Sequence, residues 1–452
     1  MRRHIKQYRR LSRQRWFSRS PLPCHFYSAL AKATPHHRHG LIPMVRYLPS
    51  AIWAWISSTA RYLFTPKHPF PSADQAPRNS HYTASNLLRV SIAGDWGTGT
   101  EEAHAVAVEM VKWDRGGVPD LTIHIGDIYY VGGDEEVKRN CLDGGGRFPK
   151  DESVEWPRGS LGTFALNGNH EMLACGNAYF DLFLPTLGMK GETRGQGTSF
   201  FCIENDFWRI VAIDTGYHST SLIFKPSCKL PDALISWLSG IIPNDDRKAT
   251  VLVSHQQYFS AFEDNYPKPA QQLSRFFNKW PVLWLWGHEH RSAAYGLGGL
   301  DGVSLLAHGR CIGHGGMPVE TNTPSAKPQN LAPGDKLLFV DRRINPFYAD
   351  GQEDPPLGIN GFTHLLFDGR NLTIRHKSLV CGSHGPEGPS YPSSTTLLTE
   401  TFTCDGPQIT WHGFQSPIAQ IEGLDVYPNG KDGKSSPVSR PKDPSNKGTS
   451  SA

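Results

Sequence analysis

From about residue 85 the chain alternates short apolar runs with stretches of helical periodicity. LLRVSIAGD (87–95) is apolar and stops at an acid, which reads as a buried strand. TGTEEAHAVAVEMVKWDRGG follows as a helix, with Thr98 and Glu101 spaced as a capping box. DLTIHIGD (120–127) and GTFALNGNH (162–170) read as further strands. SFFCIEN and FWRIVAIDTG flank Asp206 like a hairpin. PDALISWLSGII is helical with Pro231 near its start, TVLVSH (250–255) is a strand, QQLSRFFNKW a helix, and PVLWLWGH (281–288) a strand again. VSLLAHG and the pair GFTHLLFDG–RNLTIRHKSLV, joined at Asp368-Gly369, give later strands. TETFTC and ITWHGF read as short added strands.

Outside this body the pattern changes. No Asp or Glu precedes Asp74, and Arg2, Arg3, Lys6, Arg9, Arg10, Arg13, Arg15 and Arg19 crowd the start. The formal net charge of +4 therefore belongs to a basic arm and not to the body, which argues against a nucleic-acid binder. The first 40 residues have two readings, an organellar transit peptide and a basic arm. Residues 41–64 are apolar and aromatic, interrupted by Arg46, Pro49 and Arg61, too short a run for a membrane span. They read either as an interfacial helix making peripheral membrane contact or as a segment packed on the body. No secretory signal pattern is present, so a cytoplasmic location is the expectation, with organellar targeting and membrane association as the alternatives. The divisions expected are a basic, aromatic extension over 1–84, a catalytic domain over 85–380, a β extension over 381–424 and a disordered polar tail over 425–452.

With 38% hydrophobic and 19% charged residues the chain is otherwise globular, and 45 Gly and 35 Pro imply many loops. Its 8 Cys are scattered without a Cys-x-x-Cys pair, which argues against a zinc knuckle or a thioredoxin-type motif and favours reduced thiols; one or two bridges, such as Cys141–Cys175, are the alternative.

The chemistry lies at the strand ends. One apolar run after another stops at Gly-Asp, Gly-Asp, Gly-Asn-His, Ser-His or Gly-His, and in open α/β sheets ligand sites lie outside the carboxyl ends of strands. Asp95 and Asp127 offer carboxylates, Asn169 an amide oxygen, Tyr130 a phenolate, and His255, His288 and His290 imidazoles. That mixture suits iron, zinc or manganese better than calcium, exceeds one tetrahedral zinc, and matches two ions sharing a carboxylate. Two such ions are a common device for phosphoester hydrolysis. His170, beside Asn169, is placed to protonate a leaving alkoxide. Taken singly, Asp95 would read as a helix cap, Tyr130 as a packed aromatic and the His288/His290 pair as structural histidines; together the blocks outweigh those readings.

In order, GDWG, GDIYY, GNHE, VSH and GHEH resemble the calcineurin-like metallophosphoesterase superfamily, and the Gly-Asp-x-Gly and Gly-Asp-x-x-Tyr forms resemble its purple acid phosphatase branch. The resemblance covers roughly residues 88–320. It implies an α/β fold of two facing mixed sheets flanked by helices, a four-layer α/β/β/α sandwich. It also implies that Asp95, Tyr130 and His290 hold one metal (ferric iron in that branch), that Asn169, His255 and His288 hold the other (iron, zinc or manganese), and that Asp127 bridges. The implied activity is hydrolysis of a phosphorylated small molecule or other phosphoester by a metal-bound hydroxide, as a phosphomonoesterase or phosphodiesterase. The alternative is a catalytically weak or inactive scaffold of the same fold. Two departures stand out: Gln256 follows His255 where relatives often carry histidine, and Tyr129 beside Tyr130 leaves open which ring faces the metal. Glu171 and Glu289 are expected behind the ligands as hydrogen-bond partners, Arg291 as a surface charge, and the loop around His308 and His314 as a border of the site.

Overall fold

The computed structural model describes residues 65–75, 80–113, 116–142, 154–220, 227–243, 247–322, 337–346, 356–380, 393–415 and 423–426. The readings made for the basic arm, the 41–64 segment and the polar tail beyond residue 426 lie outside the described residues.

The strands, in chain order, begin with β1 (His81–Thr83), β2 (Leu87–Ala93), β3 (Leu121–His124), β4 (Gly162–Ala165), β5 (Gly188–Met189) and β6 (Phe201–Glu204). They continue with β7 (Trp208–Ala212), β8 (Ala249–Ser254), β9 (Val282–Trp286), β10 (Ser292–Gly298), β11 (Ala307–Ile312) and β12 (Leu337–Asp341). The last are β13 (Asn360–Asp368), β14 (Asn371–Leu379), β15 (Thr395–Asp405), β16 (Gln408–Gln415) and β17 (Leu424–Val426). They make a nine-stranded sheet, β1-β6-β7-β8-β9-β11-β10-β12-β17, and an eight-stranded sheet, β16-β15-β14-β13-β2-β3-β4-β5. The centres, β7-β8-β9-β11 and β2-β3-β4, are parallel, with antiparallel strands toward the edges. Both sheets are therefore mixed.

Side chains alternate across each strand, and this assigns the layers. Ile210, Val251, Val253, Leu283 and Leu285 of the first sheet meet Val90, Ile92, Leu121 and Ile123 of the second in one buried cluster between the sheets. Their neighbours Val211, Leu252, Trp284 and Trp286 point the other way, onto the helices α4 (Asp232–Ile241) and α5 (Pro267–Phe277). On the outer face of the second sheet, α1 (Glu101–Met110) and α2 (Asp134–Asn140) bury Ala103, Val106, Met110 and Val137. The short α3 is Asn169–Leu173. The architecture is the α/β, two-sheet sandwich expected from the sequence, because both faces of each central strand are apolar and need cover.

Some local expectations change. The α1 cap is Thr100, whose hydroxyl accepts from Ala103 N at 3.3 Å, and not Thr98. The described cysteines, Cys141 and Cys175 among them, are free thiols. The Asp206 hairpin forms as β6–β7, and Gly369 at φ +56° turns β13 into β14. β15 and β16 extend the second sheet beyond β14, while β17 pairs with β12 at the edge of the first.

Candidate metal centre

Strands of both sheets end at one place. Asp95 follows β2, Asp127 follows β3, Asn169 opens the helix after β4, His255 follows β8, and His288 and His290 follow β9. Asp95, Asp127 and His288 have φ of 56°, 73° and 65°, in the left-handed region that non-glycine residues rarely occupy. Such conformations cost on the order of 1–2 kcal/mol each and concentrate where function requires them. The spacing leaves no room for side chains behind the ligands. A Cβ on Gly168 would lie 2.1 Å from Asp127 Oδ1, and one on Gly287 2.6 Å from Asp95 Oδ2.

The donor atoms converge as two groups around Asp127. On one side, His255 Nε2 lies 3.2 Å from Asp127 Oδ1 and 3.1 Å from Asn169 Oδ1. Donor atoms of Asp127, His255 and His288 all lie within 4.8 Å of one another. On the other side, the Tyr129 hydroxyl lies 3.1 Å from Asp127 Oδ2, 2.8 Å from Asp95 Oδ1 and 3.2 Å from His290 Nε2.

Tyr130 is the ligand expected from the sequence; the hydroxyl that lies among these donors is that of Tyr129. Glu136 is the physical reason. Its carboxylate accepts from the N–H groups of Tyr130 (2.6 Å), Val131 (2.9 Å) and Gly133 (3.1 Å), and this clamp sets the turn so that Tyr129 faces the carboxylates. Tyr130 contributes its backbone: its carbonyl accepts from His170 Nδ1–H at 2.6 Å, which turns His170 Nε2 toward Asp127 Oδ2, 3.7 Å away.

The surroundings fit metal ions. His255 donates Nδ1–H to the Ile125 carbonyl at 2.9 Å, the arrangement that aims Nε2 at an ion. Burial, with positive His255 nearby, holds His288 down at about 3, and burial holds His290 at about 4, so both are neutral rings able to ligate. Burial also pushes Asp95 up to about 8, helped by Asp127. Asp127 is buried too, but the charges on His255 and His170 outweigh that and keep it ionised, well below the usual range. For His255, burial alone would lower the pKa; Asp127 and Asp95 overcome it and lift it to about 10. Burial, Asp127 and Asp95 raise Tyr129 well above 10. Without a cation, the cluster thus retains protons on Asp95, His255 and Tyr129. Positive ions would displace them and leave every donor in its ligating form.

The supporting residues divide clearly. Glu171 Oε1 accepts from Asp127 N at 3.1 Å, and Glu289 accepts from Ser260 at 2.5 Å and Trp286 at 3.2 Å, so both act as hydrogen-bond partners beside the candidate donors. Arg291 is not a surface charge. It is fully buried, bonded to Glu320 (2.7 Å) and Asn322 (3.0 Å) over the Phe262 ring. A guanidinium enters the interior only with such a partner. The glycine-rich loop borders the site: a Cβ on Gly313 would lie 2.6 Å from Asp95 Oδ2. His314 instead lies against β13 and β14, its Nε2 2.8 Å from where a Gly361 Cβ would stand. Sequence reasoning missed Gln256 as a partner of the ligands: its Nε2 donates to Asn169 Oδ1 at 3.3 Å.

A second group of metal-binding residue types, His81, Cys202 and Glu204, lies at the β1–β6 edge. Lys248 and His81 already occupy Glu204 Oε1 at 3.1 and 3.2 Å, so it is an ion-pair cluster.

No protein-family model matches the chain, and no curated protein matches it. Similar solved structures include GAP50, described as the anchor in the inner membrane complex of Plasmodium, at 14% identity and a TM-score of 0.40, covering 69% of this chain and 88% of that one. A structure of PhoD is similar at 12% identity and a TM-score of 0.41, covering 79% and 74%. Vacuolar Protein Sorting 29 from Cryptosporidium parvum is similar at 11% identity and a TM-score of 0.27, covering 70% and 99%. At such identities and scores, the chemistry of the site rests on the residues of this chain.

Proposed function

We propose that this chain is a metal-dependent hydrolase of phosphate esters with a two-metal site. The observation that carries this reading is the position of Asp127. One of its oxygens faces His255 and the other faces Tyr129, so a single carboxylate joins two sets of donors. Asp95, Tyr129 and His290 would hold one ion; Asn169, His255 and His288 would hold the other; Asp127 would be shared. Iron, with iron, zinc or manganese as its companion, suits this mixture of oxygen and imidazole donors. Two bound ions would lower the pKa of a bound water and neutralise the phosphate oxygens during in-line attack.

The protein groups supply orientation and protons. Asp127 takes backbone support from the His170 N–H at 3.0 Å, and Asp95 from the His288 N–H at 2.7 Å, so both carboxylates are fixed before substrate arrives. His170 is half-buried at the rim, with Nδ1–H committed to the Tyr130 carbonyl. Its Nε2 is the atom that would carry a proton to the leaving alkoxide.

The test is metal content together with hydrolysis of a generic aryl phosphate. Full-length protein supplied with iron, zinc or manganese should bind two ions per chain and turn over. Asp127→Asn should bind at most one ion and lose at least about 100-fold in kcat/KM, since removing one electrostatic contact to a transition state alone costs that much. No turnover with any of these metals, together with no effect of Asp127→Asn on ion content, would overturn the reading.

A further inference from the structure

Gln256 stands at the metal centre without being a ligand, and its surroundings are specific. It is buried at 2% exposure. Its backbone is held from both sides: the N–H donates to Thr215 Oγ1 at 3.0 Å, and the carbonyl accepts from the Ser254 hydroxyl at 2.8 Å. Ser254 is in turn fixed by Trp284 Nε1–H at 2.8 Å. The side chain thus leaves a rigid point and reaches Asn169 Oδ1, to which its Nε2 donates at 3.3 Å.

We infer that Gln256 is a positioning residue that fixes the Asn169 amide with its oxygen toward the ion held by Asn169, His255 and His288. This rests on the function proposed above. An asparagine amide presents oxygen on one side and NH2 on the other, and only the oxygen ligates a cation. Turning the amide over would place two N–H groups at the metal position. His255 cannot prevent that as a ligand. With its Nδ1–H given to Ile125, a His255 whose other proton has been displaced by an ion has only a lone pair at Nε2, which the ion takes, and no proton to donate to Asn169. Gln256 Nε2–H is then the donor that tells oxygen from nitrogen at Asn169.

The other end of the same amide supports this. Gln256 Oε1 is buried and has no hydrogen-bond partner among the described residues. An unpaired buried acceptor costs about 1–3 kcal/mol, and such groups call for a reason. Held for packing alone, the amide would have no cause to keep its oxygen unsatisfied. A requirement for N–H at Asn169 supplies one. The role is open to glutamine because it asks for a donor and not for a titrating ring.

The experiment is titration of metal-stripped, full-length protein with Mn2+ alone by calorimetry, which reads each ion site without reference to turnover. Gln256→Met keeps the volume and removes the donor. It should weaken one of the two sites by about 10–100-fold, the usual effect of losing a hydrogen bond to a ligand, and leave the other unchanged. Gln256→His returns an N–H and should recover most of the loss. Asn169→Ala should weaken the same site, and adding Gln256→Met to it should cost nothing further. If Gln256→Met does not fold, as judged by circular dichroism, Gln256→Leu, which also lacks the donor and adds no charge, is read in its place. Two unchanged affinities in the Gln256 variant, with a weakened site in Asn169→Ala, overturn the positioning role and leave the proposed function standing. Unchanged affinities in Asn169→Ala overturn both.

Discussion

At the scale of single residues, the proposed site turns on which of two adjacent tyrosines would meet a metal. Tyr129 has its hydroxyl within 3.2 Å of Asp95, Asp127 and His290, whereas Tyr130 engages Glu136 and His170 through its backbone. A buried phenol among two carboxylates is held far from ionisation, and only a cation at the same place would make it a phenolate. A phenolate on ferric iron absorbs visible light. Iron-loaded protein should therefore be coloured, Tyr129→Phe should bleach it, and Tyr130→Phe should keep the band. The reverse pattern would return the ligand role to Tyr130.

At the scale of elements, turns and caps decide what the strands deliver. Glu136 on α2 satisfies three backbone donors in the turn that carries Tyr129. Glu136→Ala should lower stability by at least about 3 kcal/mol in urea denaturation, because unpaired buried donors cost about 1–3 kcal/mol each and three lose their partner. Thr100→Ala removes a single cap contact on α1 and should cost about 1 kcal/mol. Equal losses in the two variants would show that the Glu136 clamp is no more than a cap. These elements also explain what the sequence could and could not tell. Strand ends such as Ile92-Ala93-Gly94-Asp95 and Leu285-Trp286-Gly287-His288 are legible because burial on both faces forces an apolar run, and the polar residue that stops it marks the rim. The choice between Tyr129 and Tyr130 is not legible, since it depends on a clamp from the following helix. Arg291 was hidden for a similar reason: its burial depends on Glu320, which arrives from a loop 29 residues later. Thr98 and Thr100 both fit a cap by composition, and only the extended backbone of Thr100, at φ −90° and ψ 170°, selects it.

At the scale of the whole molecule, the two sheets are joined by an apolar layer and also by one buried charged network. Arg310 on β11 of the first sheet makes a two-pronged contact with Glu400 on β15 of the second, at 2.7 and 2.5 Å. His376 Nε2 and Trp411 Nε1 also approach that carboxylate, at 3.0 and 2.9 Å. Arg310, Glu400 and His376 are fully buried. Burial alone would raise Glu400, but the Arg310 charge and the His376 hydrogen bond reverse it and hold the group at about 2, against 4.5 when free. A carboxylate with a depressed folded pKa contributes stability that is complete above its unfolded value and disappears as pH falls through the folded one. For Glu400 that window runs from about pH 4.5 down to about pH 2, and the displacement corresponds to about 3 kcal/mol. Glu400→Gln leaves Arg310 buried without its counter-charge and should cost about 3–5 kcal/mol at neutral pH. The variant also has no carboxylate here to protonate. Between pH 5 and pH 2 its unfolding free energy should therefore fall by about 3 kcal/mol less than that of the parent, as read from urea denaturation at a series of pH values. Parallel curves would mean that the network does not couple the two sheets to pH.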